Sequence, residues 1–425
     1  MNTQQYIDRE DQFGAHNYHP LPVVLSKGQG VMVTDVEGKE YMDFLSAYSA
    51  VNQGHGHPRI LGAMTRQAER LALTSRAFYN DQLGTMEQSM AERFGYDKVL
   101  PMNSGAEAVE TAIKLCRRWA YDVKGMAADT AKMIVCEQNF HGRTSTIISF
   151  SSDPDSYGGF GPYAPGFIRI PYNDLAALKE ALKEEGVAGF MVEPIQGEAG
   201  VMTPDDDFIR KSAELCRDAG VLFIADEIQT GIARTGAWLA TCGNCSCGGG
   251  ACERDPNTYT RADILILGKA LSGGVYPVSA VLADDEIMLS IKPGQHGSTF
   301  GGNPIAAAVA TEALQVVEDE QLMQNARARG EQFRNELAKR IGSLSITKLI
   351  RGRGLLNAIV VNDSETSSTA WDMCVALAEQ GLLAKPTHGN IIRFAPPLII
   401  TEGQMSQAID KIVKVFEDFD SKLGA

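Results

Sequence analysis

The sequence predicts an α/β fold, with a mostly parallel central sheet flanked by helices and a smaller α+β domain after it. Three observations carry that expectation. Between about residues 99 and 284, short apolar runs rich in branched side chains alternate with helical patterns, which is how βαβ units read. Two of the runs, 221–225 and 263–267, are apolar almost throughout and stop at turn formers, as strands buried on both faces do. Beyond Asn303-Pro304 the texture changes to a long Ala-rich helical stretch and then shorter mixed elements.

Taken in order, strand candidates fall at 99–102, 133–137, 167–171, 189–193, 221–225, 264–267 and 278–282. Asp174 can cap a helix whose Leu175, Leu178 and Leu182 share one face, and Gly186 ends it. Phe208, Ser212 and Leu215 fall at helical spacing before Gly220. The C-terminal part reads as one long helix from Ile305 to about Leu337, a segment 350–361, a helix around 371–379, a strand at 391–394 and a closing helix from Glu402. The expected organisation is an N-terminal segment 1–50 packing with the small domain, a large domain 51–304 and a small domain 305–425. A Cys/Gly-rich stretch at about 241–260 reads as an insertion in the large domain.

Composition narrows the function. The formal charge of −14, from 39 basic and 53 acidic residues, disfavours nucleic acid or an anionic membrane as partner, since both reward a basic face. No apolar run approaches the roughly 18 residues needed to span a bilayer. The start, from Met1 to Gln5, is polar and soon acidic, unlike a secretory or transit peptide, so the cytoplasm is the expected compartment. Cys116, Cys136, Cys216 and Cys374 sit in periodic segments and read as small core residues. Cys242, Cys245, Cys247 and Cys252 crowd together, and in a reducing compartment such a cluster points to metal binding or redox activity. One tetrahedral, structural zinc is the metal reading.

The chemistry lies at two strand ends. The run 221–225 leads into Asp226 and the run 263–267 leads through Gly268 into Lys269. Ligands of open α/β sheets sit outside the carboxyl ends of the strands, so the acid and the amine would face one crevice. A carboxylate to hold a ring nitrogen and a lysine amine to condense with an aldehyde are what pyridoxal 5'-phosphate requires of a protein. Small residues around Lys269, from Gly268 to Gly274, leave room for a ligand against the backbone. Gln229, three residues beyond Asp226, is placed to touch a ring substituent. Asn103-Ser104-Gly105 between a strand and a helix can present free N–H groups to a phosphate, or can be ordinary capping. Phe140, after the 133–137 strand, could offer an aromatic face.

The runs Phe-Ile-Ala-Asp-Glu-Ile-Gln-Thr-Gly (223–231), Leu-Gly-Lys-Ala-Leu-Ser-Gly-Gly (267–274) and His-Gly-Ser-Thr-Phe-Gly-Gly-Asn-Pro (296–304) resemble the class III, fold-type-I pyridoxal-phosphate aminotransferases. The blocks at 14–22, 46–54, 74–80 and 391–397 are similar to the branch of that family that acts on ornithine, and the likeness runs from about residue 13 to 420. The resemblance implies that Lys269 bonds the cofactor and then shuttles protons, Asp226 binds the pyridine nitrogen, Gln229 the ring hydroxyl, and Phe140 stacks on the ring. Gly105 and Ala106 would bind phosphate through their backbone, with Ser104 in the same turn. Ser298 and Thr299 would reach the phosphate of a neighbouring subunit, which implies a homodimer with shared active sites. Tyr18 and Arg143 would hold the α end of the amino donor, with Tyr48 lining the pocket.

Glu198 and Arg393 complete the implied set. Glu198 would neutralise Arg393 while ornithine reacts and release it for the glutamate α-carboxylate, the alternative being a purely structural ion pair. The implied reaction moves the δ-amino group of L-ornithine to 2-oxoglutarate, giving glutamate and glutamate 5-semialdehyde, which cyclises to pyrroline-5-carboxylate. N-acetylornithine or 4-aminobutyrate as donor, and a non-catalytic binding or regulatory protein on the same fold, are the alternatives. The Cys-rich insertion departs from the family's length but leaves both flanking motifs intact.

Overall fold

The inner strands of the central sheet are buried at every position, so each presents side chains to two layers. The computed structural model describes residues 1–242 and 260–423. Among these residues the strands form sheets of four, seven and four members. The N-terminal meander consists of β1 (Leu25–Gln29), β2 (Met32–Asp35) and β3 (Glu40–Asp43), paired antiparallel. The central sheet contains β4 (Lys98–Met102), β5 (Lys132–Cys136), β6 (Phe167–Ile170), β7 (Val187–Val192), β8 (Leu222–Asp226), β9 (Ile264–Leu267) and β10 (Ser279–Ala283), in the order β4-β10-β9-β8-β7-β5-β6. Pairing is parallel from β9 across to β6, while β10 runs antiparallel to both its neighbours. All seven strand candidates lie in this one sheet, with boundaries shifted by up to two residues, as strand ends generally are.

Strand β8 shows the layering. Leu222 and Ile224 join a buried cluster with Val109, Ala112, Ile113 and Cys116 of the Gly105–Asp122 helix, whereas Phe223 and Ala225 join the cluster containing Phe208 on the opposite side. Burial on both faces is why the strand is apolar at consecutive positions. The helix-bearing stretches follow their sequence signals. The Asp174 carboxylate accepts from Ala177 N at 2.9 Å and caps the Leu175–Ala181 helix, and Gly186 turns the chain at φ +87 before β7. The Phe208–Asp218 helix buries Phe208, Ser212 and Cys216 rather than Leu215, which is only partly covered.

The long C-terminal helix expected from Ile305 to about Leu337 is instead two helices, Pro304–Asp319 and Leu322–Ile341, separated where Gln321 adopts φ +53. Neither Gly nor Pro marks the break. Glu318, Asp319 and Glu320 place three acids at a helix C-terminus, where the macrodipole disfavours them. Arg93 and Arg59 pair with Glu318 and Asp319, and His57 bonds Glu320, so tertiary contacts compensate the acids where the helix stops.

Segment 350–361 falls within a hairpin of β11 (Thr347–Arg353) and β12 (Leu356–Val361). After the Thr369–Glu379 helix come β13 (Leu382–Leu383), β14 (Lys385–Thr387), β15 (Ile391–Phe394) and the closing helix Glu402–Leu423. The third sheet has the order β11-β12-β15-β14, and β13 adds to the N-terminal meander by pairing parallel with β3. No helix among the described residues is long and apolar enough to cross a membrane.

The Leu322–Ile341 helix reaches the β11–β12 turn at Gly330, where an added Cβ would lie 1.9 Å from the Gly354 carbonyl oxygen. Backbone cannot rotate out of the way as a side chain can. Gly330→Ala should therefore destabilise the protein by about 2–3 kcal/mol despite alanine's better helix propensity, read as a lowered melting temperature. An unchanged or raised melting temperature would contradict this close approach.

Candidate active site

The carboxyl ends of β4, β5, β7, β8 and β9 open on one side of the sheet, and the side chains just beyond them converge on a cavity of about 200 Å³. Gly105, Ala106, Phe140, Asp226, Gln229 and Lys269 all line it, so six of the residues singled out from sequence meet there. Ser104 does not line the cavity. Its hydroxyl and backbone N–H are both engaged by Glu107 in a capping box that opens the Gly105–Asp122 helix. Ser104 thus shapes the cradle, and the amides of Gly105 and Ala106, which no helical carbonyl can reach, remain for an anion. A side chain at Gly105 would crowd Ile228, with its Cβ 3.1 Å from Ile228 Cδ1.

Asp226 is 4% exposed. It accepts from His141 Nδ1 at 2.6 Å and from the backbone N–H of Ile228 at 3.1 Å. A carboxylate anion can only accept, so Nδ1 carries the proton, which leaves the buried Nε2 of His141 without a partner. Burial works against a charged His141, but the Asp226 carboxylate, assisted by Glu193, outweighs it and raises the imidazole's pKa. Glu193 closes β7 as Asp226 closes β8 and accepts from Phe140 N at 2.8 Å. Burial, strengthened by the nearby Asp226 charge, pushes the Glu193 carboxyl up to about 7. Neither His141 nor Glu193 was assigned a role from the sequence. The signal that could have found them was position: each follows a β-strand directly or within a few residues, on the side where the cavity opens.

Lys269 begins a short 3₁₀ turn at φ +41, a left-handed conformation costly for a side chain with a Cβ. Its amine faces the cavity and makes no hydrogen bond or ion pair among the described residues. Burial lowers its pKa, opposed by the charges of Glu198, Asp226 and Glu193. Gln229 packs so closely on Gly197 that a Cβ there would fall 2.0 Å from Gln229 Oε1. This donor set fits pyridoxal 5'-phosphate: helix amides for a phosphate, an anion for a ring nitrogen, an aromatic face at Phe140 and an amine within the same cavity.

Of the residues assigned to substrate, Arg393, Glu198, Tyr48 and Tyr18 lie on the side of the third sheet, and Arg143 lies by the central one. Arg393 is 3% exposed and donates to Glu198 Oε1 at 2.7 Å. Ile195 and Val201 pack with Leu356, Ala358, Val360 and Ile391, which holds the Glu198 loop against β12 and β15. Tyr48 lies under the Arg393 guanidinium, 5.3 Å from its ring centroid. Arg143 stands 5.8 Å from the Phe140 ring, and Tyr18 is 63% exposed. The Ser298 hydroxyl accepts from Asn103 Nδ2 of the same chain at 2.8 Å, beside the phosphate cradle, while Thr299 is exposed. Of the cysteines read as zinc ligands, Cys245, Cys247 and Cys252 lie outside the described residues and Cys242 is buried at the end of a 3₁₀ turn. Among the described residues no three His, Cys, Asp or Glu side chains gather as a metal site.

Glu193 gives this site a pH signature. Its carboxyl is raised from 4.5 to about 7, so its favourable contribution to folding is complete below pH 4.5 and is lost as pH rises through 7. His141, raised as well, acts in the same direction. Glu193→Gln should flatten the fall in thermal stability between pH 5 and pH 8, an effect of at most about 3 kcal/mol. Parallel melting-temperature profiles for the two proteins would refute it.

Residues 13–416 match the family described as aminotransferase class-III. The chain is 56% identical over 406 residues to a mitochondrial ornithine aminotransferase of Drosophila melanogaster, covering 96% of this chain and 90% of that one. An ornithine aminotransferase structure from Toxoplasma gondii, with pyridoxal phosphate at partial occupancy in its active site, superposes with a TM-score of 0.94 at 48% identity, covering 100% of this chain and 96% of that one. The structure of an acetylornithine aminotransferase from Elizabethkingia anophelis is similar at a TM-score of 0.87 and 56% identity, covering 99% and 100%. With its sheet order, its paired Asp226 and Lys269 and a match over nearly its whole length, this chain belongs to the class-III aminotransferase family.

Proposed function

We propose that this protein transfers the δ-amino group of L-ornithine to 2-oxoglutarate, with pyridoxal 5'-phosphate as cofactor. The observation that carries the reading is the buried Arg393 held by Glu198 beside the cavity of Lys269. Gly105 and Ala106 amides would hold the phosphate, Asp226 the ring nitrogen, Gln229 the ring hydroxyl, and Phe140 the ring face. The cofactor supplies an electron sink for a substrate carbon that loses its proton. Asp226 keeps that sink effective, since opposite unit charges about 4 Å apart attract by roughly 4 kcal/mol at an effective dielectric of about 20.

The chain's own groups do the rest. Lys269 Nζ, with its pKa lowered by burial, takes the proton from the substrate carbon and returns it at the next position. Tyr18 and Arg143 hold the α-amino and α-carboxylate end of ornithine, so that the distal amine points into the cavity. Glu198 neutralises Arg393 during that half of the reaction and frees it for the α-carboxylate of glutamate or 2-oxoglutarate in the other. A partly covered, salt-bridged acid suits this: desolvation raises the Glu198 carboxyl, and Arg393, with Lys269 and Lys385, more than reverses it. We take Ser298 and Thr299 to complete the phosphate site of a second copy in a homodimer. The exposure of Phe78, Tyr79 and Phe300 supports an interface in that region, where Arg76 approaches Gly302.

The similarity to a protein named for acetylornithine favours one second reading, N-acetylornithine as donor. Initial rates on ornithine, N-acetylornithine and 4-aminobutyrate separate the two: the proposal expects ornithine to have the highest kcat/KM, and preference for either other donor overturns it. Glu198→Ala should shift relative kcat/KM toward α-amino donors and away from ornithine by about tenfold, or ~1.4 kcal/mol. Equal effects on both donors would reduce the Glu198–Arg393 pair to a structural one.

A further inference from the structure

Strand β14 brings a second cation beside Arg393. Lys385 stands directly opposite Arg393 in the antiparallel register of β14 and β15, so the two side chains leave one face of the hairpin. The Lys385 ammonium donates to the Tyr48 hydroxyl at 3.0 Å and lies 5.6 Å from the Tyr48 ring centroid, with the Tyr18 ring at 5.7 Å. Arg393 covers the same Tyr48 ring. Two cations therefore share one phenol, and the nearby Glu198 carboxylate is bonded to Arg393. Lys385 has no ion-pair partner among the described residues. Like charges directly opposite each other in a sheet destabilise it. While Glu198 is paired with Arg393, Lys385 is left without a bonded counter-ion among the described residues, and both cations are left so when Glu198 swings away.

The backbone around this cluster is held accordingly. Ser46, Ala47, Tyr48 and Ser49 all have positive φ, at 49, 46, 59 and 72, a run of four non-glycine residues in the left-handed region. Each is costly for a residue with a Cβ, and such strain persists where surrounding contacts enforce it. Asp43 Oδ1 accepts from Leu45 N and Ser46 N at 2.8 and 2.9 Å, fixing the turn that presents Tyr48 to Lys385. Thr387, two residues along β14 from Lys385, donates to the Glu198 carbonyl at 2.7 Å. The Glu198 backbone is pinned, and only its side chain is left to release Arg393.

We propose that Lys385 is a specificity-determining residue: with Arg393 it forms a two-cation seat for a carboxylate of the dicarboxylate substrate, and it opposes an ammonium group in the same place. The proposal rests on the reading that this pocket takes ornithine and 2-oxoglutarate in turn. Its test uses glutarate, a dicarboxylate with no group to transfer, bound to the cofactor-loaded enzyme and followed by calorimetry. Lys385→Met and Lys385→Gln should each weaken glutarate about tenfold and raise the KM for 2-oxoglutarate similarly, with the KM for ornithine unchanged within about threefold or lowered. Lys385→Arg should restore glutarate binding to within about threefold. Unchanged glutarate affinity, or equal weakening of glutarate and ornithine, would overturn the proposal. If ornithine proves not to be the donor, the glutarate titrations still report on Lys385, so the two failures are distinguishable.

Discussion

The Asp226 carboxylate lies at the end of β8 with almost no contact with water and, among the described residues, no arginine or lysine bonded to it. An anion in such a place is expensive unless donors converge on it. His141 Nδ1 and the Ile228 amide are those donors, and each belongs to an element fixed by its own packing. His141 in turn is brought there by the chain leaving β5, and Glu193 ends the strand between β5 and β8. The cavity is therefore a consequence of parallel strand order: three neighbouring strands deliver three titratable groups to one edge, and β9 delivers Lys269 beside them.

Charge around that edge is arranged rather than minimised. Asp226, Glu193 and Glu198 all favour a protonated Lys269, while burial disfavours it, and the net lowering leaves the amine easier to deprotonate than a solvated lysine. An amine that gives up its proton more readily than a solvated lysine is suited both to accept a proton and to return it. The left-handed backbone at Lys269 and at Ser46–Ser49 follows the same logic, because strain survives where packing leaves the chain no alternative and where side-chain direction matters most.

The two halves of the chain are joined through buried polar contacts as well as apolar ones. Arg234, fully buried, donates to Asn52 Oδ1 and to the carbonyls of Leu355 and Pro396, linking three distant segments. Asn52 also donates to the Ile232 carbonyl. These contacts hold the segment after β15 and the N-terminal turn against the central sheet, which keeps Arg393 within electrostatic reach of Lys269. A substrate switch that depends on one carboxylate moving requires its surroundings not to move with it, and this network supplies that rigidity.

Strands β5, β7, β8 and β9 were legible because burial on both faces demands uninterrupted apolar runs, and runs that short fit poorly anywhere but inside a covered sheet. The chemistry of Asp226 and Lys269 was legible for the same reason, since each stands at the point where a run stops. The break at Gln321, the left-handed turn carrying Tyr48 and the partners of His141 and Glu193 were not. Gln321 continues a helical pattern, and the partners of the acids before it, Arg93, Arg59 and His57, come from far away in the chain. Local sequence by itself determined which residues form strands and which side chains end them, because periodicity and turn chemistry act over a few residues. Tertiary structure alone decided which charges meet, because Coulombic and hydrogen-bonding partners such as Lys385 and Tyr48 are 337 positions apart in the chain and are joined only by packing.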